Sequence, residues 1–150
     1  MPVMLKHTVM ITLLLGWLHG PAPDVLKNNQ YVGIEVAVSS QTVKSGESAE
    51  IRLQFLPADG IHINATPAIE FTLDSSDVFV LKGRAIQQSD ALTGFLSTSV
   101  PVRQLVGIAP KASTGVQSLR GTLVYYYCSD VEGWCMRFRQ RVELPIMITE

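Results

Sequence analysis

Apolar side chains in this chain recur with a period of two, and that rhythm constrains the fold more than any other feature. From Tyr31 to Ser39, Val32, Ile34, Val36 and Val38 fall on one face of an extended chain, with Gly33, Glu35 and Ala37 on the other. Successive strand side chains point to opposite faces, so this is a half-buried strand. Ala49, Ile51, Leu53 and Phe55 repeat the pattern against Glu50, Arg52 and Gln54, after a turn at Lys44-Ser45-Gly46-Glu47. A second turn, Leu56 to Gly60, leads to a short strand Ile61-His62-Ile63-Asn64, which Pro67 breaks. Ile69, Phe71 and Leu73 alternate again, and Val78 to Leu81 is a short apolar run ending at a Lys82-Gly83-Arg84 turn. No stretch carries a long stripe of period 3.6.

The remaining segments fit the same scheme. Asp24 to Gln30 reads as an irregular lead-in. Ala85 to Thr98 is a Gln-, Ser- and Thr-rich loop with one helical turn near Asp90. Val100, Val102, Val106 and Ile108 share one parity, and Gln104 among them predicts a bulge. After a turn at Pro110 to Gly115, Leu119 to Tyr127 and Arg141 to Ile148 are the last two strands. Short strands separated by turn signals predict an all-β fold: a single antiparallel β-sandwich of about seven to nine strands, immunoglobulin-like in architecture. At 150 residues the chain buries a core without needing a disulfide. A formal net charge of −1, with no basic stripe, argues against nucleic-acid binding.

The first 23 residues read as a signal peptide or N-terminal anchor. Lys6 and His7 precede an apolar run from Thr8 to Leu18, and Pro21 and Pro23 obscure a cleavage site. The domain then spans 24–150 in an exported, disulfide-permissive compartment such as the periplasm, with His62 as its only histidine.

Both cysteines lie in one stretch, Tyr125 to Arg139, with three of the four tyrosines and Trp134. Strand parity puts Leu119, Leu123, Tyr125 and Tyr127 on one face, and Cys128 with Tyr126, Val124 and Arg120 on the other. Carrying the apolar parity of Val142, Leu144, Ile146 and Ile148 backwards turns Phe138 and Met136 inward. It turns Cys135, Arg137, Arg139 and Arg141 outward. Both cysteines are therefore expected on the face away from the core, opposed across a hairpin and within reach of a cross-strand disulfide. Closing a loop this short stabilises by only about 2.5 kcal/mol on the chain-entropy model. Arg137 and Arg139 would favour a thiolate, while Asp130 and Glu132 would oppose it. From the residues alone, a structural staple and a redox pair both stand.

The Tyr-x-x-Cys strand end, the acidic loop and the aromatic-Cys return resemble the N-terminal periplasmic domain of the thiol:disulfide interchange protein DsbD and its stand-alone relatives. The stretches Val43 to Glu47 and Gly60-Ile61-His62-Ile63-Asn64 also look like that family. The cysteine loop is one residue longer than is usual there, and Met136-Arg137-Phe138 stands where Pro-Pro-Glu commonly follows. The resemblance implies an immunoglobulin-like sandwich with a redox-active center at Cys128 and Cys135. Such a module passes electrons between a membrane redox protein and periplasmic thioredoxin-fold partners. Tyr126, Asp130, Glu132, Trp134 and Arg137 are candidate supporting residues, with Tyr126 and Trp134 placed to shield the disulfide or dock a partner. No cofactor, metal or nucleic acid is implied.

The competing reading is an immunoglobulin-like protein-binding or assembly module whose hairpin disulfide is purely structural. His62 with the cysteines would be a sparse zinc or copper(I) set, and a turn histidine bonded to Asn64 is the simpler expectation. Asn64-Ala65-Thr66 matches a glycosylation acceptor but reads as chance, because the leader and the resemblance point to a bacterium. The row Arg137, Arg139, Arg141 reads as the charged protection of an edge strand. A single histidine and the absence of GxSxG, HExxH and phosphate-loop motifs argue against a hydrolase.

Overall fold

The computed structural model describes the backbone of residues 24–26 and residues 29–150 in full, so the leader expected over 1–23 lies outside them. Ten strands follow in order: β1 (Asp24–Leu26), β2 (Val32–Val38), β3 (Thr42–Lys44), β4 (Ser48–Pro57), β5 (Ile61–Ile63), β6 (Glu70–Leu73), β7 (Phe79–Ile86), β8 (Val102–Ile108), β9 (Gly115–Ser129) and β10 (Trp134–Thr149). One sheet runs β1-β2-β4-β8-β7. The other runs β3-β10-β9-β5, with β6 beside β5 on the same edge of β9. The fold is an immunoglobulin-like β-sandwich. Among the described residues no helix is long and apolar enough to cross a membrane.

The alternating residues line the space between the sheets. Val32, Ile34 and Val36 of β2 and Ala49, Ile51, Leu53 and Phe55 of β4 face Leu119, Leu123, Tyr125 and Tyr127 of β9 and Val142, Leu144, Ile146 and Ile148 of β10, all buried. The Phe55 and Tyr125 rings meet edge-on across the gap at 5.3 Å, a favoured aromatic geometry. Gly121 belongs to the same face of β9. A Cβ there would come within 2.6 Å of the Thr72 carbonyl oxygen and 2.9 Å of the Phe71 ring, so only glycine lets β6 lie this close.

Four expectations need correction. The lead-in contains β1, which pairs with β2 from Asp24 opposite Val36 to Leu26 opposite Ile34. Thr42–Lys44 forms a strand parallel to the end of β10, so the sheets are not wholly antiparallel. The Lys82-Gly83-Arg84 segment is no turn. β7 continues through it, and the pairing with β8 shifts between Lys82 and Ile86. Gln104 causes no bulge in β8, whose register with β4 is unbroken. The irregularity lies in β7, where Gly83 takes φ +76°. The buried Gln104 side chain answers it, donating Nε2–H to the Gly83 carbonyl at 3.3 Å and the Leu105 carbonyl at 2.9 Å. An amide on the apolar parity thus satisfies a carbonyl freed by the neighbouring strand. The loop before β8 does hold one turn at Asp90, closed by Gly94 N–H to the Asp90 carbonyl at 2.9 Å.

Candidate functional site

The cysteine stretch is the turn of the longest hairpin. β9 and β10 pair without a shift from Gly115 opposite Ile148 to Ser129 opposite Trp134. That unbroken register makes the parity argument hold, and it sets Cys128 directly opposite Cys135. The two form a disulfide, with Cα atoms 4.0 Å apart. Both lie on the face turned away from the inter-sheet core.

Exposure separates them. Cys135 is exposed, whereas Cys128 is only 7% exposed. Cys128 is covered because β9 has a second neighbour at this point. β5 pairs with it from Ile61 opposite Ser129 to Ile63 opposite Tyr127, placing His62 opposite Cys128. The outward face therefore carries a row across three strands: His62, Cys128, Cys135. The ladder continues past β5 through Asn64 N–H to the Tyr126 carbonyl at 2.9 Å, and the Asn64 carboxamide oxygen lies 3.5 Å from Cys128 Sγ.

His62 does not bond to Asn64 as expected. Its Nδ1 lies 3.1 Å from Asp130 Oδ2, and its ring stacks on Phe95, 3.6 Å between centroids and 17° between planes. Phe95 comes from the loop between β7 and β8, which is bridged to Asn64. A cavity of about 330 Å³ opens between this loop and β5, lined by His62, Asp90, Phe95 and Pro57 among others. The hairpin tip is held to the preceding turn by Asp130 N–H to the Gly60 carbonyl at 3.2 Å.

The supporting candidates divide between the two faces. Tyr126 and Arg137 stand opposite one another on the disulfide face, one pair along the ladder from the cysteine pair's neighbour. Trp134 does not shield the disulfide. Its parity turns it to the core side, where its ring meets Tyr31 at 5.1 Å and Tyr127 at 5.8 Å. Its Nε1–H donates to Glu132, which occupies that carboxylate away from the cysteines. Asp130 is engaged with His62. Arg141 pairs with Asp74 at 2.9 Å. Arg137, Arg139 and Arg141 do line an edge strand, because β10 meets β3 only over Met147–Thr149. Sequence reasoning missed the His62–Asp130 pair and Phe95; Asp130, two residues after Cys128, was the one signal for the former.

Behind the disulfide, the core end of the hairpin is polar. Asn29 Nδ2–H donates to the Tyr125 hydroxyl at 3.1 Å, which donates in turn to Gln140 Oε1 at 3.1 Å. Burial pushes the Tyr125 phenol up to about 12, against the lowering effect of the Asn29 bond. Among the described residues no three His, Cys, Asp or Glu side chains gather into a metal-holding group.

The fold and site together define an immunoglobulin-like sandwich with a half-covered disulfide on the outer face of its terminal hairpin. No family model matches the sequence, and no curated protein matches it. Among solved structures it is similar to the GAE domain of GGA2p from Saccharomyces cerevisiae, at 15% identity over 83% of this chain and 97% of that one, with a TM-score of 0.49. It is also similar to the GAE domain of yeast GGA1, at 10% identity over 81% and 97%, TM-score 0.46. The N-terminal domain of Neisseria meningitidis DsbD in the reduced form is similar at 19% identity over 78% and 84%, TM-score 0.34.

Proposed function

We propose that the domain is an exported thiol-disulfide exchange module, working between a membrane thiol-disulfide protein and thioredoxin-fold partners in the periplasm. One observation carries this reading: the disulfide is asymmetric in access. An attacking thiolate must approach the sulfur it bonds to, and the other sulfur leaves. Exposed Cys135 suits the first role and covered Cys128 the second. Arg137, two residues along the same face, favours an anionic sulfur beside Cys135. The resemblance of the Tyr-x-x-Cys, acidic loop and aromatic-Cys motif to the DsbD N-terminal domain points to the same chemistry. It supports reading residues 1–23 as an export signal or anchor.

The exchange conserves electrons without a cofactor. A partner thiolate bonds to Cys135 Sγ, and the bonding pair leaves on Cys128. The partner's second thiolate then attacks its own sulfur in the mixed disulfide and frees Cys135. Two electrons and two protons pass from the partner to the domain, and the reverse sequence returns them. Equilibration with glutathione buffers, read by alkylation and mass, tests the reading. A potential above about −300 mV is expected for an exchanging pair. A lower potential identifies an inert staple and leaves the domain a binding or assembly module.

A further inference from the structure

We propose that His62, held by Asp130, is the acid–base partner of the Cys128 sulfur. This rests on the exchange reading above. The leaving thiolate in the first step forms where water has little access, because Cys128 is buried with β5 beside it. A charge left there without a partner is costly. The register of β5 answers that cost by placing His62 directly opposite Cys128, where side chains on neighbouring strands interact.

The imidazole is held in one orientation by two independent contacts. Phe95 stacks on its face at 3.6 Å, which any flat ring would satisfy. The 3.1 Å contact with Asp130 is satisfied by an imidazole in particular. An ionised carboxylate only accepts, so Nδ1 carries the proton and Nε2 is the nitrogen free to serve the sulfur. His62 is well covered, its side chain 16% exposed, while Asp130 reaches solvent at 69%. The pair thus connects an enclosed sulfur to water through one imidazole. Asn64 supplies a second contact, since its carboxamide oxygen, 3.5 Å from Sγ, accepts the S–H once Cys128 is reduced.

The charged and titratable groups around the imidazole come from four segments. Asp130 comes from the hairpin tip and bonds the ring, and Asp90 comes from the loop, lining the same cavity as His62. Cys128 and Cys135 come from β9 and β10, with Tyr126 and Arg137 beyond them on the same face. A protonated His62 opposite Cys128 offsets the negative charge of its thiolate. In the reducing direction the S–S bond breaks, its electron pair stays on Cys128, and the Nε2 proton of the imidazolium passes to that sulfur; the ring keeps its Nδ1 proton toward Asp130 and regains the Nε2 proton from water. In the oxidising direction neutral His62 takes the Cys128 proton, and the thiolate displaces the partner from Cys135.

The test uses the full chain reduced with dithiothreitol, following thiolate absorbance at 240 nm against pH, with the rate of disulfide reduction by dithiothreitol measured in parallel. In His62→Gln, the Cys128 thiol should titrate about one unit higher, or about tenfold less thiolate near neutrality. Reduction at pH 7 should slow by a similar factor, and the rates should converge in alkali. Asp130→Asn should shift both readouts in the same direction by less. Circular dichroism and near-ultraviolet spectra identify a variant that has lost its fold, in which case His62→Asn supplies the comparison. A wild-type chain that equilibrates with glutathione but titrates identically to His62→Gln overturns this inference alone. A wild-type chain that does not equilibrate overturns both readings.

Discussion

Gly121 shows how one missing atom sets the approach of two strands. It sits on the core face of β9, between Leu119 and Leu123, where every neighbour of the same parity is large and apolar. The pattern alone marks it only as a gap. The structure supplies its reason: the Phe71 ring and the Thr72 carbonyl occupy the space of a side chain. Backbone at 2.6 Å cannot yield as a flexible side chain would. Gly121→Val is therefore expected to destabilise the domain by about 1–3 kcal/mol, the usual range for overpacking, with urea unfolding followed by tryptophan fluorescence as the measurement. An unchanged midpoint would show that β6 moves freely. Gln104 teaches the reverse lesson. Its polarity on an apolar parity looked like an interruption, because its partner, the Gly83 carbonyl, belongs to an irregularity in another strand.

The hairpin of β9 and β10 is the element on which the site depends. Its register runs unshifted over 15 residue pairs, so the cysteines would face each other there with or without their bond. The cross-link closes a short loop already held by the ladder and by Asp130 to Gly60. A Cys128→Ser, Cys135→Ser double variant should therefore remain folded. It should lose no more than about 2.5 kcal/mol, the chain-entropy value for such a loop, measured by chemical denaturation against the oxidised parent. Collapse of the fold would show that the disulfide holds β5 and the Phe95 loop in place, which favours the clamp reading. Parity predicted the outward face of both cysteines correctly, since no bulge interrupts the pairing of β9 with β10. Adjacency in sequence suggested Trp134 as a shield, but one step along a strand moves a side chain to the opposite face, so parity puts it on the core side.

At the scale of the molecule, charged pairs on the surface and phenols in the core set opposite pH limits. The Arg141 guanidinium, bonded to Asp74, holds that carboxyl below its usual range, and Ser118 with Arg120 does the same for Glu143. Groups with depressed folded values contribute stability above their unfolded values and lose it as pH falls through the folded ones. Stability should therefore decline from about pH 4.5 downward, modestly and less at high salt because these pairs are solvent-exposed. Tyr125 acts at the other end. Its value is raised to about 12 by burial, so its contribution is complete below the unfolded value of about 10 and is lost as pH rises through the folded one. Thermal unfolding across both ranges should show the two declines, and Tyr125→Phe should remove the alkaline one. The sequence by itself determined the all-β class, the core faces of the main strands and the outward pairing of Cys128 with Cys135. Each follows from local alternation, which needs no knowledge of what lies across the gap. Only the tertiary structure decided that Cys128 is covered while Cys135 is open, and that His62 stands opposite the former, held by Asp130 and Phe95. Those contacts join a three-residue strand, a hairpin tip and a loop far apart in the chain, and nothing local specifies which segments occupy one edge of β9. The hairpin disulfide was thus legible as a pair, and its asymmetry, on which the proposed exchange depends, was legible only in the fold.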